Sequence, residues 1–150
     1  MTVNGQEQPG VRAGEFYLIK KKWSAKDVIT VEFDMRGRVQ KRGESPKFTA
    51  IERGPIVLAR DSRLSGPSLV TITTPVLNKE GFIDLKPFSN TNDGDYWMQF
   101  TARFLPESYT ETGATPIEIG LCDYASAGNG KTKSVFAVWL PQLYSGRGGD

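Results

Sequence analysis

Between Val28 and Met35 the chain alternates without a break, with Ile29, Val31, Phe33 and Met35 on one register and Thr30, Glu32 and Asp34 on the other. Successive side chains of an extended strand point to opposite faces, so this period of two predicts a strand with one covered and one solvated face. The same period runs through Tyr17, Ile19 and Trp23, with Lys20 and Lys22 opposite and Lys21 interrupting the apolar register. Ser24-Ala25-Lys26-Asp27 supplies a turn between the two runs, and together they predict a hairpin.

The polar stretch from Arg36 to Lys47, with two glycines and a proline, reads as a loop. Beyond Phe48–Ile51 comes Arg53-Gly54-Pro55-Ile56-Val57-Leu58-Ala59, an apolar run opening on Gly-Pro. Proline fixes φ and offers no N–H to a ladder, so this strand is entered from a bend. Further strands are expected at 69–74, 82–85, 96–104, 117–122 and 134–140, and the segment 125–131 reads as a hairpin end in which Asn129-Gly130 adopts positive φ. No stretch of ten residues carries a helical period, and there is no internal repeat. The expected fold is all-β, an antiparallel β-sandwich of jelly-roll-like or immunoglobulin-like type, forming one domain over residues 1–144 with a flexible tail at 145–150.

A chain of 150 residues is long enough to bury roughly two thirds of its unfolded surface, so a core needs no disulfide staples. Nineteen basic residues against seventeen acidic leave a net charge of +2, too weak a field to argue for nucleic acid or an anionic membrane. The chain has no histidine and one cysteine, Cys122. The commonest general base and zinc ligand is therefore missing, and no internal disulfide can form. The first residues lack the basic end and apolar stretch of a secretory signal, and no run approaches the ~18 apolar residues of a membrane helix. The expectation is a soluble fragment of a longer protein.

Gly14-Glu15-Phe16-Tyr17-Leu18-Ile19-Lys20-Lys21-Lys22-Trp23, then Asp27 to Met35, then Arg53-Gly54-Pro55-Ile56-Val57 resembles the β-sandwich region that follows the catalytic helical barrel in glycoside hydrolase family 127, the bacterial β-L-arabinofuranosidases. The resemblance covers about the first sixty residues and returns in Leu121-Cys122-Asp123-Tyr124-Ala125 and Val138-Trp139-Leu140. Lys26 stands where that family usually has glycine, so the turn differs. The rest is similar to a small C-terminal module of unknown function in related Bacteroides-type hydrolases. The resemblance implies a cysteine nucleophile beside a zinc held by glutamate and further cysteines, but these belong to the barrel and no position here matches them.

The residues that invite a chemical role also have plainer explanations. Cys122 lies in a strand pattern with no histidine to activate it, so it is expected to be a small core hydrophobe. Glu32, Asp34, Glu118 and Asp123 could supply an acid and a base, but solvated strand faces explain them. The loop Ser89-Asn90-Thr91-Asn92-Asp93-Gly94-Asp95 lacks the ordered ligands and closing glutamate of a calcium loop. Gly128-Asn129-Gly130-Lys131-Thr132 lacks the leading glycine of a phosphate loop, because position 125 is alanine. Lys20-Lys21-Lys22 reads as edge protection. Of the aromatic residues able to stack on a sugar, Trp23 and Trp139 are expected in the core together with Ile29, Val31, Phe33, Ile56 and Phe100, while Trp97 is the binding candidate. No catalytic residue, metal or cofactor is expected. The reading is a non-catalytic accessory module that packs on or shapes the catalytic barrel of the same parent hydrolase, periplasmic or secreted. The alternative is a carbohydrate-binding module that engages plant-type glycans through Trp97.

Overall fold

The computed structural model of the chain describes residues 1–43, 47–88, 95–106 and 115–142. The expected tail at 145–150 lies outside the described residues. Where the sequence pattern suggested one domain over residues 1–144, the backbone clusters into two compact units, Met1–Asp34 and Met35–Asp150. All described ladders are antiparallel and no α-helix occurs among the described residues, so the fold is all-β, an antiparallel β-sandwich.

The first unit holds three two-residue strands, β1 (Thr2–Val3), β2 (Gln6–Glu7) and β3 (Ile29–Thr30), in the order β2-β1-β3. Asn4 and Gly5, at φ 51° and 77°, join β1 to β2. Positive φ at both central residues is the turn whose twist suits a hairpin, and Asn-Gly is the pair that tolerates it best. The Asn4 amide also ties the unit together: its nitrogen donates to Asp27 Oδ1 at 2.7 Å and its oxygen accepts from the Val28 N–H at 2.8 Å. Asp27 further accepts from Lys21 Nζ at 2.7 Å and from the Ser24 N–H at 2.6 Å, closing the expected turn at residues 24–27. These hydrogen bonds, led by Asn4 and then Lys21, hold the Asp27 carboxyl well below its ordinary range.

The hairpin expected of 16–23 and 28–35 does not form. Residues 16–23 join no ladder, and of the alternating run only Ile29–Thr30 pairs, with β1. Among the described residues of this unit Val3 alone is buried, while Ile29, Val31 and Phe33 are exposed, Phe33 at 65%. Trp23 is likewise 46% exposed rather than in a core. An amphipathic strand pattern specifies a face that needs covering, and a two-stranded ribbon with neither face covered is marginal in water.

The second unit contains β4 (Gly37–Lys41), β5 (Phe48–Arg53), β6 (Ile56–Asp61), β7 (Thr73–Pro75), β8 (Lys86–Pro87), β9 (Gln99–Pro106), β10 (Ile117–Asp123), β11 (Phe136–Ala137) and β12 (Leu140–Pro141). Its ladders run β12-β5-β6-β10-β9-β7, with β4 on β5, β11 on β6 and β8 on β9. β5 and β6 meet at Arg53↔Ile56, leaving Gly54-Pro55 as a two-residue loop with Gly54 at φ 55°. Glycine first and proline second suits a type II′ turn, so the Gly-Pro bend read from the sequence is a hairpin tip. Beyond Ile51↔Leu58 the two strands part. The chain's last strands pair with each of them, β11 with Arg60 and Asp61, and β12 with Phe48 and Thr49.

The longest ladder joins β9 to β10 over six pairs, from Ile117↔Phe104 to Cys122↔Gln99. Alternation along it divides the core. Ile119 and Leu121 of β10 join Phe100, Ala102 and Phe104 of β9, together with Ile51, Leu58, Ile83 and Leu140, in one cluster. Cys122 belongs to a second cluster with Ala59, Leu64 and Ala127. Between them Gly120 lets another segment approach: its N–H donates to the Ser65 carbonyl at 2.8 Å, and a Cβ there would lie 2.9 Å from that of Leu64.

Several strands are shorter than expected. Residues 69–74 yield only Thr73–Pro75, Phe82–Leu85 contributes isolated bridges at Ile83, and 134–140 breaks into β11 and β12 around Val138 and Trp139. That bend leaves Trp139 42% exposed, whereas Phe100 is buried and Ile56 partly so. Residues 125–131 do not close a hairpin: β10 and β11 each pair with β6, and positive φ falls on Gly128 rather than on Asn129 or Gly130. Replacing the fully buried Phe104 as Phe104→Ala is expected to cost about 3–5 kcal/mol in denaturant unfolding. Phe33→Ala, at an uncovered site, is expected to cost under about 1 kcal/mol.

Candidate functional site

Two strands of the second unit end on buried carboxylates, Asp61 closing β6 and Asp123 closing β10. Burial alone would push Asp61 towards its neutral form. It instead accepts two hydrogen bonds from the Arg63 guanidinium (2.9 and 2.8 Å), the N–H groups of Arg63 (3.0 Å) and Gly128 (2.9 Å), and the Ser134 hydroxyl (3.1 Å). Those donors outweigh desolvation and hold the carboxyl well below its usual range. Arg63 in turn reaches Asp95 Oδ2 at 3.0 Å and lies 4.8 Å from the centre of the Tyr96 ring. Burial and then the Asp61 charge push the Tyr96 phenol up to about 12.

Asp123 does for the next segment what Asp61 does for the loops. Its oxygens accept from the Met98 N–H at 3.0 Å, the Ser126 N–H at 2.9 Å and the Ser126 hydroxyl at 2.9 and 2.8 Å. Ser126 Oγ itself accepts from the Trp97 N–H at 3.0 Å. The backbone of Trp97 and Met98 is thereby fixed to the end of β10 by buried groups, while the Trp97 side chain is 88% exposed. Beside it runs an open cleft of about 400 Å³, lined by Pro87, Phe88, Trp97, Met98, Gln99 and Phe100. Its far wall is attached through the Phe88 N–H, which donates to the Gln99 carbonyl at 3.0 Å.

The other candidates fall elsewhere. Cys122 is fully buried, and burial followed by the charges of Asp61 and Asp123 pushes its thiol up to about 12, so it is not a thiolate near neutral pH. Glu118 is exposed and pairs with Lys86 at 3.2 Å; Glu32 and Asp34 are exposed in the first unit. Asp123 is a scaffold group rather than part of a carboxylate pair. Of the loop 89–95, residues 89–94 lie outside the described residues, and Asp95 is held by Arg63. Among the described residues no three His, Cys, Asp or Glu side chains converge on one point. Sequence reading missed Asp61, Arg63 and Ser126. The one available signal was Asp61 closing an apolar strand, where a charge calls for a partner close in sequence.

Strands ending in buried carboxylates that anchor loops, beside an aromatic cleft, belong to a fold that occurs within glycoside hydrolases. It is similar to part of a GH127 β-arabinofuranosidase, with a TM-score of 0.62 and 25% identity over 95% of this chain and 23% of that one. It is also similar to a glycoside hydrolase (TM-score 0.63, 21% identity, 95% and 25% covered) and to a GH127 β-L-arabinofuranosidase from Geobacillus stearothermophilus T6 (0.60, 19%, 95% and 24%). The resemblance to family 127 read from residues 14–57 is thus met in three dimensions. The chain spans about a quarter of the length of these solved structures. No protein-family model matches the sequence, and no curated protein does.

Because the folded-state pKa of Asp61 lies below its unfolded value of about 3.9, its contribution to stability is complete above that value and is lost as pH falls below it. Denaturation midpoints measured between pH 6 and 2 are expected to drop for the wild type along an acid limb that Asp61→Asn flattens. Asp123→Ala leaves two buried donor groups of Ser126 and the part-buried Met98 N–H without their acceptor and is expected to cost about 3 kcal/mol in unfolding.

Proposed function

We propose that this chain is a non-catalytic accessory β-sandwich module of a glycoside hydrolase, packing on the catalytic helical barrel of the same parent protein. The observation that carries the reading is the number of large apolar side chains left uncovered in the first unit, Phe16, Leu18, Val28, Ile29, Val31 and Phe33 among them. Of these, Ile29, Val31 and Phe33 alternate with Thr30, Glu32 and Asp34, the pattern of a strand whose apolar register meets another surface. Contacts between domains of one chain bury about 600–1,500 Å², an area that uncovered apolar side chains of this kind help to provide. The fold's occurrence as a quarter of much longer glycoside hydrolases supports the same view. The burial of Cys122 and the absence of histidine argue against chemistry by the module itself.

On this reading the purified chain turns over no aryl arabinofuranoside. It binds the remainder of its parent hydrolase in trans, with a Kd weaker than about 1 μM because separation adds a translational and rotational cost. Calorimetry against that remainder is the test: Val31→Lys combined with Phe33→Asp is expected to abolish the heat of binding. Turnover by the isolated chain that disappears in Cys122→Ala would overturn the non-catalytic part of the proposal.

A further inference from the structure

We infer that the cleft beside Trp97 is a saccharide-binding subsite in which the indole stacks on the apolar C–H face of a neutral sugar ring. The inference rests on the accessory-module reading and adds a ligand to it. Trp97 is 88% exposed, so its ring packs against very little of the protein. A large aromatic surface left in water is costly unless something covers it. Its backbone, by contrast, is held: the amides of Trp97 and Met98 donate to Ser126 Oγ and Asp123 Oδ1, and both acceptors are buried. A fixed backbone beneath a free aromatic ring is a prepaid binding platform, because less conformational freedom remains to be lost when a ligand lands.

The lining selects the chemistry. Among the described residues the lining, Pro87, Phe88, Trp97, Met98, Gln99 and Phe100, carries no ionisable side chain, so the wall favours a neutral ligand over an ion; the Arg53 guanidinium lies 5.2 Å from the centre of the Phe100 ring. Phe88 is also exposed and belongs to the segment that pairs with β9, giving a second aromatic wall to an open cleft of about 400 Å³. That volume admits one or two sugar rings but is too open to enclose a small drug-like molecule. A sugar ring offers a flat C–H face to aromatic carbon and keeps its hydroxyls in water, so it suits a shallow, uncharged, aromatic surface.

Isothermal calorimetry and tryptophan fluorescence with the complete chain, titrated with arabino-oligosaccharides, xylo-oligosaccharides and malto-oligosaccharides, test the inference. A proline-rich decapeptide, which also docks on aromatic walls, serves as the competing ligand. Saturable binding of at least one saccharide is expected, weakened about tenfold or more by Trp97→Ala and less by Phe88→Ala, with both variants unfolding at the wild-type midpoint. Val31→Lys with Phe33→Asp should leave sugar binding unchanged, and Trp97→Ala should leave binding to the parent hydrolase unchanged, so the two proposals fail separately. No saccharide binding up to high millimolar concentration, binding indifferent to Trp97→Ala, or binding of the peptide alone would each overturn the subsite.

Discussion

The larger unit depends on the β9–β10 ladder and on the covering of both faces of β10. Six consecutive residue pairs set the register from Ile117↔Phe104 to Cys122↔Gln99. A slip of one residue would exchange Ile119 and Leu121 for Gly120 and Cys122, taking two large side chains out of one core and placing one of them where Leu64 and Ser65 leave room only for glycine. Sheets polar on both faces tolerate such slips better. Here both faces are committed, and β6 follows the same division, with Leu58 in the first cluster and Ala59 in the second.

The polar network extends this order outward. β6 and β10 both end on aspartates, and at the boundary of the second cluster a carboxylate must either be hydrogen-bonded or lose its charge. Asp61 gathers Arg63, Gly128 and Ser134, and Asp123 gathers Ser126 and Met98. Segments distant in sequence are thereby fixed without a helix or a disulfide. Trp97 owes its position to this arrangement: its ring faces solvent, and its place relative to β10 is set by groups that do not.

The first unit is held by different means. Its strands are two residues long, and its connectivity comes from the Asn4-Gly5 turn and the Asp27 carboxylate rather than from a core. The lysine run contributes Lys21, which leaves the apolar register to pair with Asp27 and lies 4.9 Å from the centre of the Trp23 ring. That contact gives Trp23 a surface role that an expectation of core burial overlooked. Ile29, Val31 and Phe33 stay exposed there, whereas the larger unit encloses its own apolar clusters.

Local pattern was enough to determine the class of fold, a bend at Gly54-Pro55 and the approximate position of strands expected at 48–51, 55–60, 96–104 and 117–122, because alternation and turn stereochemistry act within a few residues. It also marked Trp97 as an aromatic outside the regular apolar register. Alternation cannot say whether a partner surface exists, so the run from Val28 to Met35 looked like the best strand in the chain and formed two residues of ladder. The burial of Asp61 and Asp123, the bend that exposes Trp139 and the second cluster around Cys122 were decided by tertiary structure alone. Each depends on which distant segment packs against the residue, and hydrogen bonds between positions 67 residues apart, such as Gly128 to Asp61, leave no periodic trace in the sequence.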